Sequence, residues 1–486
     1  MDSGTLVAVI AIAALAVDIT VRVLALIFVP KNRRPQTALA WLLAIWFLPY
    51  VGIILFLILG RARLPRGRRR KQRQINEYIL STTEGFDRVK RDPPWPPWLE
   101  PIVELNRTLG SMPLVGGNSA QMWAENAVSL AKMTAAIRAA RKTVHCEFYI
   151  LLLDEHTADF FDALEEAHDR GVTVRVLLDH LGNAQYPGYR RTVKRLNSMG
   201  VQWRRMLPFR PSRAQFQRPD LRNHRKLLVI DGEIAFTGSQ NVIDPGYQRR
   251  KNRKRGLQWK DYMVRFEGPV VAGIDALFVT DWYSETGVLL EREAAPARTS
   301  GDGDLDCQVV PSGPGFEGEN NLRLFNSLVY AAQRKVILTS PYFVPDDSML
   351  YAITTAAQSG LQVELFVSEI GDQFLVFHAQ RSYYEALLRA GVKIWLYAGP
   401  TILHAKHFTI DDEISVIGSS NMDMRSFSLD LEISVMVRGG EFLTELREIE
   451  DANRAMSREL TLEEWLRRPV RHRTLDNLAR LTAAVQ

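Results

Sequence analysis

The stretch from His224 to Asn241 recurs, at every chemically distinctive position, 180 residues later. The first copy holds His224, Lys226, Asp231, Gly238, Ser239 and Asn241. The second holds His404, Lys406, Asp411, Gly418, Ser419 and Asn421, and both read H-x-K-x4-D-x6-G-S-x-N. A repeat that includes the chemistry predicts two similar halves rather than one long irregular domain. Leu227 to Ile230 reads as a strand, Asp231-Gly232 as a hairpin turn and Glu233 to Thr237 as the return strand. That pairing carries Ser239 and Asn241 back beside His224 and Lys226, which share one strand face because they are two residues apart. Asp231 has the opposite parity and sits at the turn, as does Asp411 in the second copy. The candidate catalytic set is His224, Lys226, Asp231, His404, Lys406 and Asp411, with the two aspartates expected to serve structure rather than touch substrate. Ser239, Asn241, Ser419 and Asn421 add a hydroxyl and an amide to each half as candidate anion-binding groups. Two halves facing each other across a pseudo-twofold place the two histidines on opposite sides of one anion.

Around each copy, short apolar strands alternate with amphipathic helices. Thr143 to Leu153 and Val172 to Leu178 read as strands flanking a helix over Asp159 to Arg170. Lys335 to Val344, Val363 to Val367 and Val392 to Tyr397 repeat the strand pattern, with a helix over Ser382 to Ala390. The expected fold is α/β, in two similar domains at 119–295 and 296–460. Two cysteines, Cys146 and Cys307, exclude a disulfide framework and a cysteine-rich zinc module. No spacing of His, Cys and carboxylates suggests a metal, so neither a metal nor another cofactor is expected.

The first 60 residues differ in kind. Thr5 to Val29 is apolar except for Asp18 and Arg22, and Thr37 to Leu59 carries no charge. Each is long enough as one helix to cross a hydrocarbon core of about 30 Å. A basic n-region and a small-residue cleavage pattern are both missing, so the pair reads as a transmembrane hairpin rather than a signal peptide with one anchor. Asp18 and Arg22, four apart, can pair with each other, and Pro49 can kink the second helix. The net charge of +6 is local, since Arg61 to Arg73 holds eight basic residues and no acid. Without them the chain would be slightly acidic. A cation cluster beside an apolar segment suits an anionic membrane surface, and by the positive-inside tendency it places the later domains on the cytoplasmic side. Residues 61–118 read as a basic, then proline-rich linker, extended around Pro93-Pro94-Trp95-Pro96-Pro97-Trp98. Nucleic acid is not an expected partner, because a strand-tracking groove needs a basic stripe with stacking aromatics.

With both motifs in view, the chain resembles the phospholipase D superfamily, and within it the bacterial cardiolipin synthases. The closer resemblance rests on the N-terminal double span before a basic run, on EFYIL at 147–151, and on SYYEALLRAGVKIW before the second motif. It implies two phospholipase D-like domains sharing one active site at the cell membrane. It also implies a transferase that moves a phosphatidyl group between two phosphatidylglycerols, giving cardiolipin and glycerol. One histidine would become a phosphohistidine, His224 by the family pattern, while His404 serves as acid and base. Each histidine needs an acceptor on its other nitrogen. The family carries a carboxylate downstream in each half, which points to Asp261 and Glu432. Hydrolysis by a membrane-anchored phospholipase D or other phosphodiesterase is the alternative, and a catalytically dead lipid-binding scaffold a third reading that two intact motifs disfavour. The oligomeric state is open. His145 reads as a hydrogen-bonded core residue, His378 as a possible liner of a lipid pocket, and His156 and His168 as surface residues. The basic run Arg249 to Arg255 reads as a solvated loop, with headgroup attraction as the alternative. The tail, 461–486, sets Leu475, Leu478, Leu481 and Val485 near one helical face, expected to pack on the body or lie at an interface.

Overall fold

A computed structural model describes residues 3–31, 33, 35–60, 64, 66–83, 95–209, 218–290, 303–316 and 318–482. Arg61, Arg63, Pro93, Pro94, Val485 and the boundary expected at 295/296 lie outside the described residues. The chain divides into two units, Met1–Arg63 and Leu64–Gln486.

In the first unit, Ser3–Phe28 is one helix of 26 residues, about 39 Å at 1.5 Å per residue. Asp18 and Arg22 pair at 2.8 Å, and the Arg22 guanidinium lies 5.0 Å from the Trp46 ring centre. The second apolar stretch is not the single long helix expected. It breaks at Leu48 into Pro35–Phe47 and Pro49–Leu59, with Pro49 at the first turn of the latter. Proline lacks the N–H needed to continue the first helix and starts the next one readily. The two short helices fold back on each other. A Cβ at Gly52 would lie within 3 Å of the Ala44 backbone, so only glycine allows that approach. Arg33 closes the pair, donating to Gly60 O at 2.9 and 3.1 Å and to Val29 O at 2.5 Å.

The second unit is built on a sheet of sixteen strands in which one arrangement occurs twice. In the first half, Thr143–Phe148 pairs in parallel with Thr173–Asp179, which pairs in parallel with Gln202–Met206. On its other side it meets Lys226–Ile230, then Ile234–Gly238, then Met263–Glu267, all antiparallel. In the second half, Lys335–Thr339 pairs with Gln362–Ser368 and that with Lys393–Tyr397, again in parallel. His407–Ile410, Ile414–Gly418 and Asp430–Arg438 follow antiparallel. Leu114–Trp123 and Leu305–Ser312 join the halves by antiparallel pairing. The two halves therefore share one continuous sheet rather than standing as separate sheets.

The linker expected over 61–118 is ordered differently. Arg66–Thr82 and Leu99–Gly110 are helices, and Leu114–Trp123 is a sheet strand. Prolines sit outside the 66–82 stretch, so nothing stops it from coiling. Ile75 and Ile79, four apart, bury against the core. Two cations of the basic run are taken up by the protein: Arg68 pairs with Glu285 at 2.7 Å, and Lys71 donates to Tyr283 O at 2.8 Å. The 249–255 run contains the short helix Arg250–Lys254 rather than only loop.

Asp231 and Asp411 occupy matching places at the hairpin turns. Asp231 and Gly232 both take positive φ (54° and 69°), as a type I′ turn requires. The Asp231 carboxylate accepts from the backbone N–H groups of Arg141, Lys142 and Thr143 at 2.9, 2.7 and 2.9 Å. Asp411 accepts from Gln333, Arg334 and Lys335 at the same three distances. Each aspartate thus ties its hairpin to the start of the neighbouring strand, and their place in the catalytic set is corrected to a structural one. Asp231→Ala or Asp411→Ala should lower stability by roughly 2–3 kcal/mol, a discounted sum for hydrogen bonds to a charged acceptor. Turnover measured well below the melting temperature should survive. Loss of turnover at unchanged melting temperature would contradict this assignment.

Candidate active site

Two short crossovers between the halves position the histidines. Arg222–Asn223, just before His224, pairs in parallel with Asp430 and Leu431, just before Glu432. Thr401–Leu403, just before His404, pairs in parallel with Gln258–Lys260, just before Asp261. The backbone bonds continue into the site, from His224 N to Leu431 O at 2.9 Å and from His404 N to Lys260 O at 2.8 Å. In this register each histidine lies beside the carboxylate of the opposite half. His224 Nδ1 meets Glu432 Oε1 at 2.9 Å, and His404 Nδ1 meets Asp261 Oδ1 at 2.6 Å. Sequence order suggests pairing within a half; the structure exchanges the partners. In both rings Nε2 is left as the nitrogen free to react.

The motif lysines stand beside the histidines. Lys226 Nζ donates to His224 O at 2.5 Å and Lys406 Nζ to His404 O at 2.6 Å, leaving two N–H donors on each ammonium for an anion. The motif glycines are required by close packing. A Cβ at Gly238 would collide with Tyr262 O, and one at Gly418 with Ile433 O. The serines that follow face the carboxylates. Ser419 Oγ donates to Glu432 Oε2 and accepts from Ile433 N; Ser239 Oγ accepts from Tyr262 N at 2.9 Å and donates to Tyr262 O at 3.4 Å. Ser419 thus holds the carboxylate that partners His224, while Ser239 is bonded to the Tyr262 backbone. Asn241 Nδ2 donates to the Tyr247 hydroxyl at 2.9 Å. Asn421 Oδ1 is buried without a partner among the described residues.

Burial sets the charge states. It lowers the pKa of Lys226 to about 7 and that of Lys406 to about 8. His224 is held well below the usual imidazole value, by burial first and then by Lys226 and Lys406. His404 is lowered by burial too, but Asp261 works against that shift. Burial pushes Asp261 upward, yet His404 and Lys406 together with hydrogen bonding keep the carboxylate below its ordinary range. Glu432 is raised by burial to about 7. The two dyads are alike in shape and unequal in charge.

Three aromatic residues outside the motifs complete the walls. Tyr149 packs edge-on to His224 at 4.9 Å between ring centres, with Lys226 Nζ 5.3 Å from its own ring centre. Tyr247 and Tyr342 flank His404 at 6.3 and 6.2 Å. Tyr149 follows directly on the strand that pairs with the first motif hairpin, and Tyr342 lies three residues beyond the equivalent strand. His145 is a core residue, bonded to Asp275 at 2.7 Å and stacked on Phe278. His378 does not line the site; it binds Asp476 at 2.6 Å. Among the described residues no three His, Cys, Asp or Glu side chains converge as a metal site.

A family model described as "Cardiolipin synthase, PLD-like domain" matches residues 133–282 and 326–452, one stretch around each motif. The chain belongs to this cardiolipin synthase family of phospholipase D-like proteins. A model of the phospholipase D-nuclease N-terminal region matches 21–61. Relatives of the family include cardiolipin synthase A of Proteus mirabilis, 33% identical over 458 residues, covering 92% of each chain. Cardiolipin synthase A of Yersinia pseudotuberculosis is 34% identical over 462 residues, again 92% of each. Among solved structures, the phosphatidylserine synthase of Haemophilus influenzae superposes with a TM-score of 0.59 at 15% identity. The match covers 79% of this chain and 99% of that one, a likeness of fold.

Proposed function

We propose that this protein makes cardiolipin by moving a phosphatidyl group from one phosphatidylglycerol to another. The observation that carries the proposal is the pair of histidines, each fixed through Nδ1 by a carboxylate from the other half, in a chain of the cardiolipin synthase family. His224 is the nucleophile. It is the ring held more firmly neutral, and a neutral Nε2 attacks phosphorus. His404 faces an ionised Asp261, the better setting for carrying a proton, and an entering phosphodiester anion favours its charged form further. His404 protonates the departing glycerol as the P–N bond forms and the P–O bond breaks. It then takes the proton from the primary hydroxyl of the second phosphatidylglycerol, which attacks phosphorus and releases His224. Lys226, Lys406 and the Asn421 amide surround the phosphate oxygens. The phosphatidyl-histidine conserves the phosphodiester bond energy, so no nucleotide-activated donor is needed.

Purified protein in phosphatidylglycerol vesicles, with EDTA and without CDP-diacylglycerol, should form cardiolipin and glycerol in equal amounts. Phosphatidic acid as the main product would establish hydrolysis instead. An absolute need for CDP-diacylglycerol or a divalent metal would overturn the scheme.

We also infer that only Ser3–Phe28 crosses the membrane. The two helices that follow are about 20 and 17 Å long at 1.5 Å per residue, and Arg33 binds Gly60 O, so the folded-back pair begins and ends on one side. Lys31, Arg33 and Arg34 then share that side with the basic run after Gly60, the cytoplasmic one by the positive-inside rule. Single cysteines at positions 31 and 60 should react with an impermeant thiol reagent from the cytoplasmic face alone, and one at position 3 from the opposite face alone. Labelling of 31 and 60 from opposite faces would restore two full spans.

A further inference from the structure

The helix Val470–Arg480 is built inside out. It rests on the helix Phe374–Arg381 and buries Asp476, 1% exposed, with Ala479. Asp476 is held by His378 at 2.6 Å, Arg468 at 2.5 Å and Arg381 at 3.5 Å. Meanwhile Val470, Leu478 and Leu481 stand 73%, 57% and 80% exposed. At about 100° per residue these three fall within an arc of about 80°, and Asp476 and Ala479 lie on the other side. The aliphatic face expected to pack on the body is turned outward, and an ion-paired carboxylate does the packing instead. Burial of apolar area cannot have set this orientation.

The supporting helix also exposes apolar side chains, Phe374 and Leu375, and the Phe374 ring lies 4.5 Å from that of His378, which binds Asp476. The segment before this helix reaches the active site. Asp372, two residues before Phe374, accepts from the Tyr342 hydroxyl at 3.0 Å, and Tyr342 flanks His404. Gly371 O accepts from Arg255 at 3.3 Å. That contact brings up the other half's Arg249–Arg255 run, which carries six cations and no acid. Aliphatic side chains and a cation cluster thus meet beside the His404 wall.

We propose that Phe374, Leu375, Val470, Leu478 and Leu481, with the cations of Arg249–Arg255, form the face by which the catalytic unit docks on an anionic bilayer. Apolar side chains enter the acyl boundary and the cations meet lipid phosphates. The proposal rests on the lipid-transferase reading, because a lipid whose chains stay in the leaflet can offer its phosphate only to a site whose rim faces that leaflet.

The test uses the full-length chain. Leu478→Glu/Leu481→Glu should lower the rate on phosphatidylglycerol in bilayers at least tenfold. The rate on monomeric dihexanoyl-phosphatidylglycerol, with the enzyme in detergent, should stay within twofold of wild type. Unchanged rates on bilayers, or equal losses on both substrates, would overturn the proposal. Independently, Phe374→Cys labelled with a nitrobenzoxadiazole dye, Cys146 and Cys307 being buried, should be quenched in vesicles of phosphatidylglycerol and doxyl-labelled phosphatidylcholine relative to vesicles without the doxyl label; no quenching overturns docking. The quenching needs no turnover. Quenching with no cardiolipin from the wild-type chain would therefore leave docking standing and count against the transferase reading alone.

Discussion

Alanine at His224 or at His404 should each cut kcat at least a thousandfold, roughly 4 kcal/mol of barrier. The two rings act in one sequence, so the double variant should be little worse than either single one. A donor with a leaving group that departs without protonation, such as a phosphatidyl p-nitrophenol, separates their roles. His404→Ala should still release about one equivalent of nitrophenol per site and stall as phosphatidyl-His224. His224→Ala should release none. A burst from the His224 variant would reverse the assignment, and more than a tenth of wild-type turnover in either variant would refute a two-histidine scheme.

The second large effect belongs to the exchanged carboxylates. Asp261→Asn and Glu432→Gln should each lower turnover about a hundredfold or more, because an amide can hold the ring in the wrong tautomer and does not stabilise an imidazolium. They should differ in which step fails. Asp261 serves His404, so its variant should keep the nitrophenol burst and lose turnover. Glu432 serves His224, so its variant should lose or slow the burst itself. The opposite pattern would mean that each carboxylate serves the histidine of its own half in solution.

The repeat made much of this legible. Spacing within the motif gave the hairpin over Lys226–Ile230 and Ile234–Gly238 and its counterpart at 407–418, because a period of two and a turn residue act over a few positions. Strand parity rightly set Asp231 and Asp411 apart from the reacting groups. The swapped carboxylates were not legible. They depend on Arg222–Asn223 pairing with Asp430 and Leu431 across more than 200 residues, and no local pattern records that register. The partners of the motif serines were not legible, because Oγ offers the same hydrogen bonds to a carboxylate as to a phosphate, and only position separates the two. Pro49 was read as a kink, whereas a reversal also needed Gly52 to admit the Ala44 backbone. At Val470–Arg480 the apolar stripe was plain, yet its outward direction follows from Asp476 and the three side chains that hold it.

The crossed partnership between halves bears on how the protein is made. A ribosome finishes the half that holds His224 long before it reaches residue 432. Until then the nascent chain, already tethered at its N-terminus, holds His224 without the carboxylate that orients its ring. A truncated product carrying only that half should be inert toward the lipids around it. Reactivity arrives once, with the second half, and the cell is spared a stray lipase during every round of synthesis.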